Sequence, residues 1–389
     1  MLTLGDLLAE VGGSIRTGPF GTVLKANEYA HIGVPIISVG EIGYGTLRLL
    51  ESTPRASDAL LERLPEYILR TGDIVFARKG AVDRSAWVGP GQDGWFLGSD
   101  GIRVRVSGDL ESKYLSYQFQ TDHVREWLKQ HAAGTTMASL NATILERIPV
   151  TLVSPAAQRT IAEVLGALDD KIAANTRLIH ACEALASAVF DSLPHGLRQP
   201  LTKLAYFVNG KAFTKGATGT GRVVIRIAEL NSGLGGSTVY NDIDVRDEHL
   251  ARPGDLLFAW SGSLTVHRWY RSEGIINQHI FKVIPRSPHP MWLVHQILLR
   301  RLADFRLIAA DKATTMGHIQ RRHLEEPVPV PATEAIAHVD VVMTTLWERA
   351  LSAEQETLML AELRDTLLPQ LMSGKLRVRD AEQQIEAAV

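Results

Sequence analysis

Gly72-Asp-Ile-Val-Phe-Ala77 and Gly254-Asp-Leu-Leu-Phe-Ala259 are one short pattern written twice, and Gly80 and Gly262 follow in the same register. Further along, Gly134-Thr-Thr-Met137 is matched by Ala313-Thr-Thr-Met316. Pro155-Ala-Ala-Gln-Arg-Thr-Ile161 is then echoed by Pro331-Ala-Thr-Glu-Ala-Ile336. Three blocks in the same order, each set leading into a helical pattern, mark an internal repeat, and such a repeat decides architecture before any single element does.

Each half reads as a strand-rich unit followed by a helix. Val34–Val39 and Val223–Ile227 are short apolar runs rich in β-branched residues, as buried strands are. Gly-Asp before Ile-Val-Phe and before Leu-Leu-Phe predicts a turn feeding a strand. Gly101-Ile-Arg-Val-Arg-Val106 alternates apolar and charged residues, which predicts a half-exposed strand. Gly216-Ala-Thr-Gly-Thr-Gly221 reads as a flexible loop and lacks the Lys-Ser/Thr of a phosphate loop.

After Pro155, apolar residues recur at Ile161, Leu165, Leu168, Ile172, Ile179, Cys182, Ala186, Val189 and Leu193. The steps of four and three are heptad spacing, interrupted at Asn175. A polar seam residue can fix register and partner, and an exposed Asn beside a bend would give the same gap. After Pro331 the pattern returns at Ile336, Val339, Met343, Leu346, Ala350, Ala353, Leu360, Leu363, Leu367 and Leu371. Pro194 and Gly196 close the first helix, Pro369 kinks the second late and Gly374 ends it. At ~1.5 Å per residue the helices are rods of about 55 and 63 Å. Each must bury its stripe, and the simplest partner is the other, antiparallel, with the two globular units at opposite ends.

The 389 residues carry a formal charge of −2, so composition alone indicates no nucleic acid. The distribution says more: residues 196–331 hold 18 Lys+Arg against 11 Asp+Glu, and residues 332–373 hold 2 against 7. A basic segment suits phosphate, and it also suits an ordinary solvated surface. The single cysteine, Cys182, excludes an internal disulfide and fits a reducing compartment. No apolar run reaches the ~20 residues of a membrane span and no basic leader opens the chain, so a cytoplasmic protein is expected. No Asn/Asp-Pro-Pro-aromatic motif, Walker A motif, paired-cysteine or zincin spacing, or Gly-x-Ser-x-Gly elbow occurs, so a non-catalytic chain is expected.

Several segments resemble the specificity subunits of Type I restriction–modification systems. They are Leu230-Asn-Ser-Gly233, Gly254–Gly262 ending Phe-Ala-Trp-Ser-Gly, Asn277-Gln-His-Ile-Phe-Lys-Val283, Ala313–Met316 and Leu367–Leu376. In the first half they are Gly72–Ala77, Gly134–Met137 and Leu168-Asp-Asp-Lys-Ile172. The resemblance covers nearly the whole chain. It implies an α+β protein: two repeated α/β target-recognition domains separated by two long helices paired as an antiparallel coiled coil. The division is then 1–155 and 196–331 for the recognition domains, 156–195 and 332–374 for the helices, and 375–389 for a tail. The resemblance also implies that each recognition domain reads half of a bipartite site in double-stranded DNA. The helices would dock two copies of a modification subunit, which would bind S-adenosylmethionine and methylate adenine at N6, with or without restriction/translocase subunits. The first half departs from the family form: Phe76-Ala-Arg-Lys-Gly80 replaces Phe-Ala-Trp-Ser-Gly, and Leu97-Gly-Ser-Asp100 stands where Asn-Gln-His is expected.

Base reading needs side chains at a groove mouth, and phosphate contacts supply grip. The loops after the Gly-Asp strands are the first candidates. Arg78 and Lys79 suit phosphate or guanine; Trp260 and Ser261 occupy the same place in the second half, where Trp260 equally suits core packing. Gln278 and His279 are candidates for base edges, and Ser99 is a further DNA-binding candidate. Thr135, Thr136, Thr314 and Thr315 suit phosphates, or a turn or N-cap. Arg16, Lys25, Lys211 and Lys215 are phosphate candidates, whereas Arg300-Arg301 and Arg321-Arg322 read as solvated faces. Ile161, Leu165, Leu168, Ile172, Asn175, Ile179, Val339, Met343, Leu346, Leu360 and Leu367 are the expected helix-pair and partner interface. A competing reading is a non-catalytic coiled-coil adaptor with two folded heads and no nucleic-acid role.

Overall fold

The computed structural model describes residues 2–21, 23–25, 28–134, 137–311 and 317–388. It divides into two compact units: Met1–Asp169 with Glu362–Val389, and Asp170–Ala361.

The first unit opens with α1 (Leu4–Val11), capped by a reciprocal Thr3–Asp6 bond pair, and continues through β1 (Ser14–Thr17), β2 (Tyr29–Ala30), β3 (Val34–Ile37) and β4 (Arg55–Ala56). It proceeds with α2 (Asp58–Arg63), β5 (Ile74–Ala77), β6 (Ser85–Trp87), β7 (Phe96–Leu97) and β8 (Gly101–Arg105), then α3 (Ser112–Gln120), α4 (Asp122–His131) and α5 (Ala142–Glu146). Two four-stranded sheets result, in the orders β1-β8-β5-β6 and β2-β4-β3-β7. The β5 run Ile74-Val-Phe-Ala77 has no exposed residue because its two faces feed two different clusters. Ile74 and Phe76 pack under α3 with Leu115 and Phe119, while Val75 and Ala77 pack with Ile37 and Leu97 from the other sheet. Each large side chain so buried contributes roughly 1.5–3 kcal/mol.

α6 (Pro155–Asp191) leads out of the first unit. The second unit adds β9 (His195–Pro200), α7 (Leu201–Leu204), β10 (Ala205–Asn209), β11 (Arg222–Ile225), α8 (Ile227–Ser232), β12 (Tyr240–Asn241) and β13 (Leu250–Ala251). Then come β14 (Leu256–Ala259), β15 (Thr265–Arg268), β16 (Gly274–Ile276), β17 (Ile280–Pro285), α9 (Met291–Asp311) and β18 (Pro327–Pro331). Its sheets run β10-β17-β14-β15 and β12-β11-β16-β13, with β18 on β9. The β10-β17-β14-β15 order repeats β1-β8-β5-β6 strand for strand. The parallel pair β11–β16 likewise repeats β3–β7. α10 (Thr333–Met372) and α11 (Val378–Ala388) complete the chain.

The two long helices pair antiparallel. In the first unit, Arg364 Nη1 lies 2.8 Å from Asp169 Oδ1. In the second, Lys171 Nζ lies 3.1 Å from Glu356, and Asn175 Nδ2 donates to the same carboxylate at 2.8 Å. Ile161, Leu165, Leu168, Met343, Leu360 and Leu367 are buried, and Ile172, Ile179, Val339 and Leu346 half-buried. Asn175 is a seam residue, 3% exposed, and not a solvent-facing one.

Two local expectations change. β8 is buried, not half-exposed, because it is a central strand between β1 and β5 and its second face is also covered. Arg103 on it is 4% exposed; its Nη1 donates to the Glu66 carbonyl, and burial holds its pKa down to about 10. The 223–227 run stops as a strand at Ile225, where Arg226 and Glu229 cap α8 instead. The ends of the long helices fall where expected: α6 ends at Asp191, before Pro194 and Gly196, and α10 runs through Pro369 to Met372, before Gly374. The two compact units divide within both long helices, at 169/170 and 361/362.

Candidate nucleic-acid interface

In the first unit three loops meet at the end of β5. The Arg78 N–H donates to the Asp100 carbonyl at 2.8 Å, and the Arg78 carbonyl accepts from the Leu140 N–H at 2.8 Å. Gly80 N–H reaches the Ala138 carbonyl at 2.9 Å, and Gly18 N–H the Gly101 carbonyl at 2.9 Å. The second unit makes the same four bonds at the repeat-equivalent positions. Trp260 N–H donates to His279 at 3.1 Å, Ile319 N–H to Trp260 at 3.0 Å, Gly262 N–H to Gly317 at 2.8 Å, and Gly210 N–H to Ile280 at 2.9 Å.

Two glycine positions make this convergence possible. A Cβ on Gly18 would stand 1.8 Å from the Gly98 carbonyl oxygen, and one on Gly210 would stand 2.2 Å from the Asn277 carbonyl oxygen. Gly80 and Gly262 both adopt positive φ, 69° and 64°, which glycine takes at no steric cost.

The backbone is duplicated but the side chains it presents differ. In the first unit Arg78 is half-buried: its Nη1 donates to the Ser99 carbonyl at 3.2 Å and its guanidinium lies 5.0 Å from the Phe20 ring centre. Lys79 is exposed and paired with Asp100 at 3.2 Å. Ser99 takes part through its carbonyl. In the second unit Trp260 donates from Nε1 to Asn209 Oδ1 at 2.8 Å, stacks on Phe281 at 5.7 Å and meets His279 and His318 edge-on. Packing therefore uses much of the Trp260 surface. Ser261 is buried behind it. Beside them Gln278 is exposed, its N–H donating to the Lys211 carbonyl, while Asn277 is buried and accepts from the Phe213 N–H. His279 has φ 73°, the one positive-φ non-glycine among the described residues, so the turn that presents Gln278 is held against local preference.

Lys211 and Lys215 are exposed on the loop that enters this cluster. Arg16, exposed on β1, lies 5.6 Å from the Tyr67 ring centre, away from the Arg78 tip. Lys25 is exposed, and its N–H is bonded to Glu28. Thr135, Thr136, Thr314 and Thr315 lie outside the described residues, although the segments after them, Ala138–Leu140 and Gly317–Ile319, form one side of each cluster.

Two side chains were missed from sequence. Phe20, 59% exposed beneath Arg78, sits in a Gly-Pro-Phe-Gly loop that reads as a turn; an aromatic there was the available signal. Arg321, taken as solvated, donates to the Phe207 carbonyl at 3.1 Å, two residues from Asn209, and so borders the second cluster.

Among the described residues no cluster of His, Cys, Asp and Glu is arranged to hold a metal, and no helix is long and apolar enough to cross a membrane. Residues 10–184 match the family model described as the Type I restriction modification DNA specificity domain, so the chain carries a DNA-specificity domain. Over 335 residues it is 22% identical to the Type I restriction enzyme MjaIX specificity subunit of Methanocaldococcus jannaschii, covering 72% of this chain and 73% of that one. The Type I restriction–modification system S subunit from M. genitalium has the same fold, with a TM-score of 0.59 at 15% identity over 95% of this chain and 94% of that one. The chain is thus similar to Type I specificity subunits, in the family model over residues 10–184 and in the M. jannaschii relative, as its motifs resemble them.

Proposed function

We propose that this chain chooses the DNA site for a Type I restriction–modification complex, each repeat reading one half of a split target. The observation that carries this is the duplicated loop cluster: one backbone arrangement, built twice with equivalent hydrogen bonds, presenting Arg78 and Lys79 in one copy and Gln278 among Lys211, Lys215 and Arg321 in the other. A repeated frame with different side chains suits two related readings of different sequences. A plain adaptor has no need of it. In this reading the chain is non-catalytic and works in the cytoplasm. Its partners are two copies of a modification subunit, which bring the S-adenosylmethionine and the adenine-N6 chemistry, with restriction/translocase subunits able to join.

The test is long-read mapping of adenine methylation in cells with and without this gene, joined to a pulldown of its partners. The expected result is a two-part methylated motif with a fixed unread gap that disappears with the gene, and co-purification of a methyltransferase. An unsplit motif, or a methylome indifferent to the gene, overturns the proposal.

A further inference from the structure

We propose that Arg78 is a sequence-reading residue of the first unit and that the base it reads is guanine; this rests on the chain's choosing a DNA site as set out above. Three features separate Arg78 from its neighbours. It occupies the tip position whose counterpart in the second repeat, Trp260, is anchored by Asn209 and Phe281. Its guanidinium is oriented from two sides, by the Ser99 carbonyl on Nη1 at 3.2 Å and by the Phe20 ring at 5.0 Å. No ion pair to a carboxylate is found for it among the described residues, whereas adjacent Lys79 is engaged by Asp100 at 3.2 Å, and Arg125 and Lys129 by Asp83 at 3.1 and 3.4 Å.

A half-buried guanidinium with one N–H committed keeps donors free in a fixed plane. Guanine is the base whose major-groove edge offers two adjacent acceptors, O6 and N7, to such a fork. A phosphate contact asks for less: a flexible exposed cation suffices, and Lys79 fits that role better. Phe20, mostly exposed on the same side, adds an apolar surface beside the reading edge. Fixing the guanidinium before binding leaves less side-chain freedom to lose on contact, which favours discrimination.

The experiment uses the full chain in complex with its methyltransferase subunits. Duplexes carry the mapped target with each guanine of one half-site replaced in turn by 7-deazaguanine, which lacks the N7 acceptor. One position is expected at which this replacement weakens the wild-type complex at least about fivefold. Arg78→Ala should lose as much on the natural duplex and be indifferent to 7-deazaguanine at that position. Arg78→Lys, which keeps the charge and loses the fork, should behave like the alanine variant; a melting curve matching wild type, together with unchanged sensitivity to changes in the other half-site, shows that the unit is folded. Lys79→Ala should weaken all duplexes alike and lower the salt slope by about one. If Arg78→Ala weakens every duplex equally with a shallower salt slope, Arg78 is a phosphate contact and the proposal fails. It fails also if no guanine position responds, or if neither half-site contains a G·C pair. Absence of any gene-dependent split target would instead remove the functional reading beneath it.

Discussion

His295 lies fully enclosed in the second unit, edge-on to Trp347 at 5.0 Å, in a narrow space lined also by Arg268, Glu183 and Cys182. Burial first, then the charges of Arg268 and Arg300, hold its pKa down to about 3. Nearby His267 is brought to about 4 by the same causes, with Arg268 and Arg271 as the charges. Both imidazoles are thus neutral in the folded unit and titrate near 6.5 in the unfolded chain. Above that pH the difference contributes nothing. Below it the unfolded chain takes up protons that the folded unit refuses, so stability falls as pH falls, by about 1.4 kcal/mol per pH unit for each histidine. Glu354, bonded to Arg268 at 2.8 Å yet pushed upward by burial, works in the opposite direction, and only nearer its own range. The denaturation midpoint is therefore expected to drop between pH about 6.5 and about 5, and His295→Gln should make that slope shallower, with His267 and the similarly lowered His249 and His289 carrying the remainder. An unchanged slope in the variant would assign the acid sensitivity elsewhere. None of this was legible in sequence, where these histidines carried no motif. Arg78 and Lys79 were legible, because the Gly-Asp strand that precedes them is repeated.

At the scale of elements, the long helices were readable and the sheets were not. A three–four apolar period is a local signal that survives whatever the helix packs against. The pairing of β3 with β7, which brings Ile36 opposite Phe96, leaves no mark in either short run. The same limit explains β8: alternation in Gly101–Arg105 promised a wet face, and only its central place in the sheet shows that Arg103 is enclosed. From sequence Asn175 suited a seam residue and an exposed one equally; its burial, and its partner Glu356 181 residues away, came only from the structure. A buried polar residue in such a seam serves register more than strength. Asn175→Ala should cost roughly 1–2 kcal/mol, because it deprives Glu356 of a donor and leaves a gap. Asn175→Leu should match or exceed wild-type stability in urea titration. A leucine variant as weak as the alanine one would show that the hydrogen bond itself holds the helices.

For the molecule as a whole, the repeat predicted two units but not where the compact units divide, since residues 169/170 and 361/362 fall in mid-helix, inside continuous apolar periodicity. If α6 and α10 set the unread gap of a split target, adding one heptad to each at facing positions keeps the seam in phase and lengthens the gap by about three base pairs, from ~1.5 Å per residue and ~3.4 Å per base pair. Methylation mapping should then return the same two half-sites with the longer gap; a changed half-site, or an unchanged gap, would separate the helices from the measurement of distance. The shared helices have another consequence, for synthesis. The second unit is one continuous stretch, Asp170–Ala361, and holds all its residues once Ala361 has left the ribosome. The first unit, though translated first, is missing Glu362–Val389 until the end, so the order of completion is the reverse of the order of translation. A frameshift late in the gene would accordingly wound the half of the protein that was made earliest.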